Sequence, residues 1–76
     1  MNKYFFDLVG RQRSEYDYRG RELPSPEKAY QLGELIALDL GIDGQREWSG
    51  WSIKVRNSLG QQFFSIPVPQ LDLVAA

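Results

Sequence analysis

Three stretches of this chain carry a clear hydrophobic rhythm. From Lys3 to Val9 the period is two, with Tyr4, Phe6 and Leu8 on one face and Lys3 and Asp7 on the other. Phe5 and Val9 share that second face and make it unusually apolar. From Trp51 to Arg56 the period is again two: Trp51, Ile53 and Val55 alternate with Ser52, Lys54 and Arg56. Between them, Ala29, Leu32, Gly33, Ile36 and Leu40 recur at three- and four-residue steps, the spacing of one apolar stripe on a helix.

The helix has its punctuation written in. Ser25 is placed to cap the first turn, and Pro26 suits the first helical position, where its missing N–H is not needed. Glu27 sits near the positive end of the helix dipole, and Gly41 is the expected C-terminal stop. Gly33, on the stripe, is expected to leave room for an aromatic side chain of the sheet. Leu35 and Leu38 fall off the stripe and widen the apolar surface toward one flank, where the tail or another chain is expected to cover them.

Weaker signals fill in the rest. Glu15 to Tyr18 reads as a short second strand after a polar turn at 10–14, and Gly20 ends it. Residues 42–50 read as a loop, with Trp48 as a lid over the core. Asn57-Ser58-Leu59-Gly60 is a hairpin turn with Gly60 in the left-handed position. Gln62 to Val68 is the last strand, with Phe64, Ile66 and Val68 inward and Phe63 and Ser65 outward. Pro67 and Pro69 lack N–H groups on the same side of it, which predicts a sheet edge. The tail, 70–76, is apolar and short, and is expected to fray. The pattern as a whole predicts an α+β fold of β-β-α-β-β order over residues 1–76 as a single domain. Its four-stranded antiparallel sheet takes the order 2-1-3-4, with the helix across one face.

Composition narrows the chemistry. The chain has 76 residues, with no cysteine and no histidine. That excludes disulfides, thiolate zinc sites and the usual nucleophile–base pairs. No Gly-rich phosphate loop is present. Glu15 with Asp17, and Asp39 with Asp43, are carboxylate pairs, but a one-helix domain has little room for a cleft, so they read as solvated surface groups. No cofactor and no enzymatic activity are expected. No apolar run has membrane-spanning length, and Asp7 and Gly10 interrupt any signal-like core, so the expected location is the cytoplasm. The net charge is −1, spread as +2 over residues 1–21 and −3 over the rest, too weak a dipole to mark a nucleic-acid surface.

The order Tyr4-Phe5-Phe6-Asp7-Leu8, then Asp17, Gly20, Glu22-Leu23-Pro24, the Ala29/Gly33 helix and Val55-Arg56-Asn57 with Gly60, resembles a family of short, mostly proteobacterial domains of unknown function. The resemblance covers nearly the whole chain. The chain departs from it at Asn57, where the family usually carries Asp, and at Gly33, where Ala is common. The resemblance implies no activity, cofactor or catalytic residue.

What remains is a surface. Phe5 and Phe63, with Lys54 and Arg56 between them and Arg19 and Arg21 nearby, form the candidate interaction surface on the outer sheet face. An apolar strip of this kind fits a protein partner, another chain or a second copy in a homodimer, in which a cation lies over a ring. Single-stranded nucleic acid stacked on the same rings is the alternative. The loop around Gly20 reads as a turn whose Asp17 bonds local backbone, or as a polar recognition loop.

Overall fold

The alternating stretches pair with one another and the periodic stretch packs across them. A computed structural model of the chain describes residues 1–42, 48 and 50–69. Its elements, in order, are β1 (Asn2–Val9), β2 (Ser14–Glu15), β3 (Arg21–Leu23), α1 (Pro26–Ile42), β4 (Ser52–Asn57) and β5 (Gln62–Pro67). The fold is α+β: one helix and an open, antiparallel sheet in the order β2-β1-β4-β5, with β3 also pairing β1. This is the expected order with one correction. Of the strand expected over 15–18 only Ser14–Glu15 is in the sheet, residues 16–20 leave it, and β3 is a fifth strand in place of the expected four.

The core lies between the sheet and α1. Tyr4, Ile53, Val55, Ile66 and Val68 are buried from the sheet side, with Phe6, Leu8, Trp51 and Phe64 packed around them. From the helix come Ala29, Gly33 and Ala37, with Ile36 and Leu40 alongside. The small residues let the helix approach the sheet closely. A Cβ on Gly33 would lie 2.6 Å from the Ile66 δ-methyl, 3.4 Å from a Val55 methyl and 3.8 Å from the Phe6 ring, so the expected aromatic ring is there but two aliphatic side chains press closer. Trp48 is buried and meets Trp51 edge-on at 5.1 Å between ring centres, as the expected lid.

The start of α1 is the one the residues prescribe. Ser25 Oγ accepts the Lys28 N–H at 3.3 Å, and the Ser25 carbonyl accepts the Ala29 N–H at 3.2 Å. Ser25→Ala should cost about 1 kcal/mol through loss of the side-chain cap. A denaturant midpoint indistinguishable from wild type would show that this bond contributes nothing.

The end of α1 differs from expectation. Gly41 lies inside the helix, and its backbone is not left-handed. It is small because Pro69 passes over it: a Cβ there would sit 2.5 Å from the Pro69 carbonyl oxygen. Asp43, and the tail expected to fray and to cover Leu35 and Leu38, lie outside the described residues.

The β4–β5 connection explains the edge. Asn57 Oδ1 accepts N–H groups from Leu59 and Gln61, both at 2.9 Å, and Gly60 at φ +84° closes the turn onto the Asn57 carbonyl. An aspartate at 57 would accept the same two bonds, so the change from the pattern described above leaves the turn its acceptor. Val68 donates its N–H to Trp51, so Pro67 and Pro69, one residue to either side, fall where the donors of the open edge would be. The ladder slips between Val55 and Arg56: Val55 faces Phe64, but Arg56 faces Gln62, and Phe63 is the extra residue of a bulge.

Candidate functional site

The candidate interface grows from the gap between β2 and β3. Leu8 pairs with Glu15 and Tyr4 pairs with Arg21, so four steps along β1 face six along the other segment. The two extra residues loop out of the sheet, and a side chain takes over the missing ladder. The Phe6 N–H donates to Asp17 Oδ2 at 3.2 Å, where a continuous strand would offer a carbonyl. Asp17 Oδ1 accepts the N–H groups of Arg19 at 3.0 Å and Gly20 at 3.1 Å. The loop therefore turns back on its own aspartate, the arrangement Asp favours in turns.

A buried ion pair anchors that loop. Asp7, only 4% exposed, accepts the Asp17 N–H at 2.9 Å. Arg56 reaches across from β4 and donates through Nε to Asp7 Oδ2 at 2.6 Å and through Nη2 to Oδ1 at 3.3 Å. The same Nη2 donates to the Asp17 carbonyl at 3.1 Å. One guanidinium thus holds a strand and a loop together, as its forked donors allow. Its Cζ lies over the Phe5 ring, 4.5 Å from the centre. Gly20 closes the other approach to that ring: it sits at φ +72°, and a Cβ there would come within 2.9 Å of Phe5.

These bonds set the protonation of the site. Burial alone would push the Asp17 carboxyl up, but the N–H groups of Gly20, Phe6 and Arg19 and the charge of Arg56 outweigh it and hold the carboxyl below its ordinary value. The hydrogen bond to Asp7 raises Arg56 further above its ordinary value, so the guanidinium stays charged. The sign for stability follows. A carboxyl with a lowered folded pKa stabilises the fold fully above its unfolded value, about 3.9, and loses that contribution as pH falls through the folded value. The urea midpoint should therefore fall below about pH 4, and Asp17→Asn should flatten part of that fall. An identical acid limb in the variant would show that Asp17 is not linked to folding.

Of the residues expected on the outer face, the structure brings Phe5 and Arg56 into contact, with Lys54 on the same face, its Nζ donating to Ser65 Oγ at 2.7 Å. Arg19 and Arg21 are exposed, but Arg21 is paired with Tyr4 and next but one to Leu23, which puts it on the core side of the sheet and not with them. Phe63 is not there. The bulge turns its ring toward the core side, 6.0 Å from buried Tyr4 and 6.3 Å from Phe64. The aromatic strip shared by Phe5 and Phe63 does not form, and Phe5 is half-buried beneath Arg56 rather than open. Asp17, expected as a solvated carboxylate or a local turn former, is the latter.

Two residues outside the expected surface matter here. Tyr16 and Tyr18 flank the anchored Asp17 and stand 57% and 86% exposed. Their signal in the sequence is that tyrosines alternating with a turn-forming aspartate are poor core material, although a strand over residues 15–18 also accommodates them.

Two further facts bound the chemistry. Among the described residues no group of three His, Cys, Asp or Glu side chains is placed to hold a metal ion, and no helix is long and apolar enough to cross a membrane. A family model described as "Domain of unknown function (DUF6894)" matches residues 3–69. No curated protein and no solved structure matches the chain.

Proposed function

We propose, from the premise that the chain belongs to DUF6894, a family of domains of unknown function, that this domain is a non-enzymatic protein-interaction module whose binding element is the loop from Tyr16 to Arg21. The observation that carries the reading is the pairing of exposure with rigidity. Two tyrosines and Arg19 project from a loop whose backbone is fixed through Asp17 to β1 and β4. Tyrosine and arginine are the side chains that most often dominate binding energy, because they offer large contact area with few rotatable bonds or a forked set of donors. A loop already held in one conformation loses little entropy when it binds.

The non-enzymatic part rests on the same bonds. Asp7 and Asp17 spend their oxygens on N–H groups and on Arg56, so neither offers a free base. The sheet-to-sheet homodimer built on Phe5 and Phe63 has no supporting strip, and single-stranded nucleic acid has no free ring to stack on at Phe5. A partner protein remains the better-supported ligand, with a second copy of this chain tested by light scattering.

The decisive comparison uses three immobilised forms of the domain in lysate of the source: wild type, Tyr16→Ser with Tyr18→Ser, and Leu35→Ser with Leu38→Ser. The tyrosine variant should melt with wild type, since both rings are exposed, and should lose proteins that both wild type and the leucine variant retain. An unchanged captured set with the tyrosine variant sinks the reading.

A further inference from the structure

A second surface lies on the far side of the molecule from that loop's anchor, along the seam between α1 and β5. Two concavities of about 550 and 580 Å³ share Gln31 and Glu34, so they are one groove. Its floor and walls are Ala37, Leu38, Phe64, Ile66 and the two edge prolines, Pro67 and Pro69. Leu35 and Leu38 stand 59% and 42% exposed on its helix side, large apolar side chains at helical spacing.

We infer that this groove docks an amphipathic helical segment of a partner protein, one that presents leucine-like side chains flanked by lysine or arginine. Three observations select that occupant. First, the charged side chains among the described residues of the lining are Glu27 and Glu34, both acidic, one at each end of the Tyr30–Gln31 turn. An apolar floor with negative charges on one rim is complementary to an apolar stripe with a positive flank. A second copy is a poor match, because α1 of each copy would bring Glu27, Glu34 and Asp39 against their counterparts. Second, the open edge of β5 lacks N–H donors at Pro67 and Pro69, so an added strand has no ladder to join there. Recognition must run through side chains, as it does when a helix lies in a groove. Third, the lining runs along α1 from Pro26 to Leu38, about 18 Å at helical rise. That length accepts roughly three turns of helix, hence three anchors at positions i, i+3 or i+4, and i+7.

The test uses the full chain, labelled for amide NMR, and three synthetic 14-residue peptides: a leucine/lysine amphipathic helix, the same helix with glutamate for lysine, and the same helix with serine for leucine. The leucine/lysine peptide should move amide signals of α1 and β5 and leave those of residues 16–20 in place. Glu27→Lys with Glu34→Lys should weaken its binding about tenfold or more. Leu35→Ser with Leu38→Ser should do the same, and both pairs are exposed enough to leave the fold intact. The glutamate and serine peptides should bind far more weakly. Equal binding of the glutamate peptide, or signals that move elsewhere, overturns the inference. So does binding that appears only after residues 70–76 are removed, which would make the chain's own end the occupant. Failure here leaves the loop reading standing, since that reading is scored on Tyr16 and Tyr18.

Discussion

Arg56→Ala is expected to cost the domain about 3 kcal/mol, because it removes one partner of a buried charge pair and leaves the other in place. Asp7 keeps one hydrogen bond from the Asp17 N–H but loses both from the guanidinium. The Asp17 carbonyl loses its donor, and Phe5 loses its cover. The value is set at the low end of the range for buried pairs because Arg56 is partly open to water, which softens the loss. For a chain of 76 residues whose stability lies at about 4–11 kcal/mol, this is a large fraction.

Arg56→Lys separates charge from geometry. A lysine keeps the positive charge but cannot bridge Asp7 and the Asp17 carbonyl with one planar fork, so it should recover only part of the loss. Asp7→Asn in the Arg56→Ala background should recover part as well, since an amide is cheaper to bury alone than a carboxylate. The structural readout is hydrogen exchange at the N–H groups of Phe6, Arg19 and Gly20, which should lose protection first when the anchor goes. A cost under about 0.5 kcal/mol for Arg56→Ala, the size of an ordinary exposed pair, would mean that water already serves Asp7 and that the loop holds itself.

The same anchor shows where the sequence was readable and where it was not. Strand β1, strand β4 and the start of α1 follow from local rhythm and from Ser25-Pro26, because each is decided by residues adjacent in the chain. The edge position of β5 follows from two prolines for the same reason. Asp7 is different. On the alternation it is an outward polar residue, and what buries it is a loop ten residues away that has no rhythm of its own. Four residues of β1 spanned by six cannot be counted before the pairing is known. Phe63 fails for a related reason: one inserted residue reverses the face of a strand position, and nothing in Gln62-Phe63-Phe64 announces the bulge. Ala37 is missing from the predicted stripe and Gly41 reads as a helix stop because small residues carry little weight in a hydrophobic pattern, though the close approach of helix to sheet and of Pro69 to Gly41 depends on them.

Gly33→Leu should be the most damaging single change outside the anchor, and the geometry says why alanine differs from leucine there. A Cβ at position 33 lies 2.6 Å from the end of the Ile66 side chain, 3.4 Å from Val55 and 3.8 Å from Phe6. Only the first contact is too short, and it involves a δ-methyl that can swing away. Gly33→Ala should therefore fall within about 1 kcal/mol of wild type, since a helix gains roughly that much when alanine replaces glycine and the gain offsets the displaced methyl. Leucine adds three more carbons with nowhere to go: Val55 beneath it is fully buried, and the strand that carries it is paired on both sides. The helix must lift from the sheet, which opens the contacts of Ala29 and Ala37 along with it. Overpacking of this kind costs about 3 kcal/mol, and for a domain of this size that lowers the melting temperature by about 15 °C. Thermal melts of the three forms decide it. Leucine tolerated as well as alanine would place position 33 against water and put the apolar stripe of α1 on the wrong side of the helix.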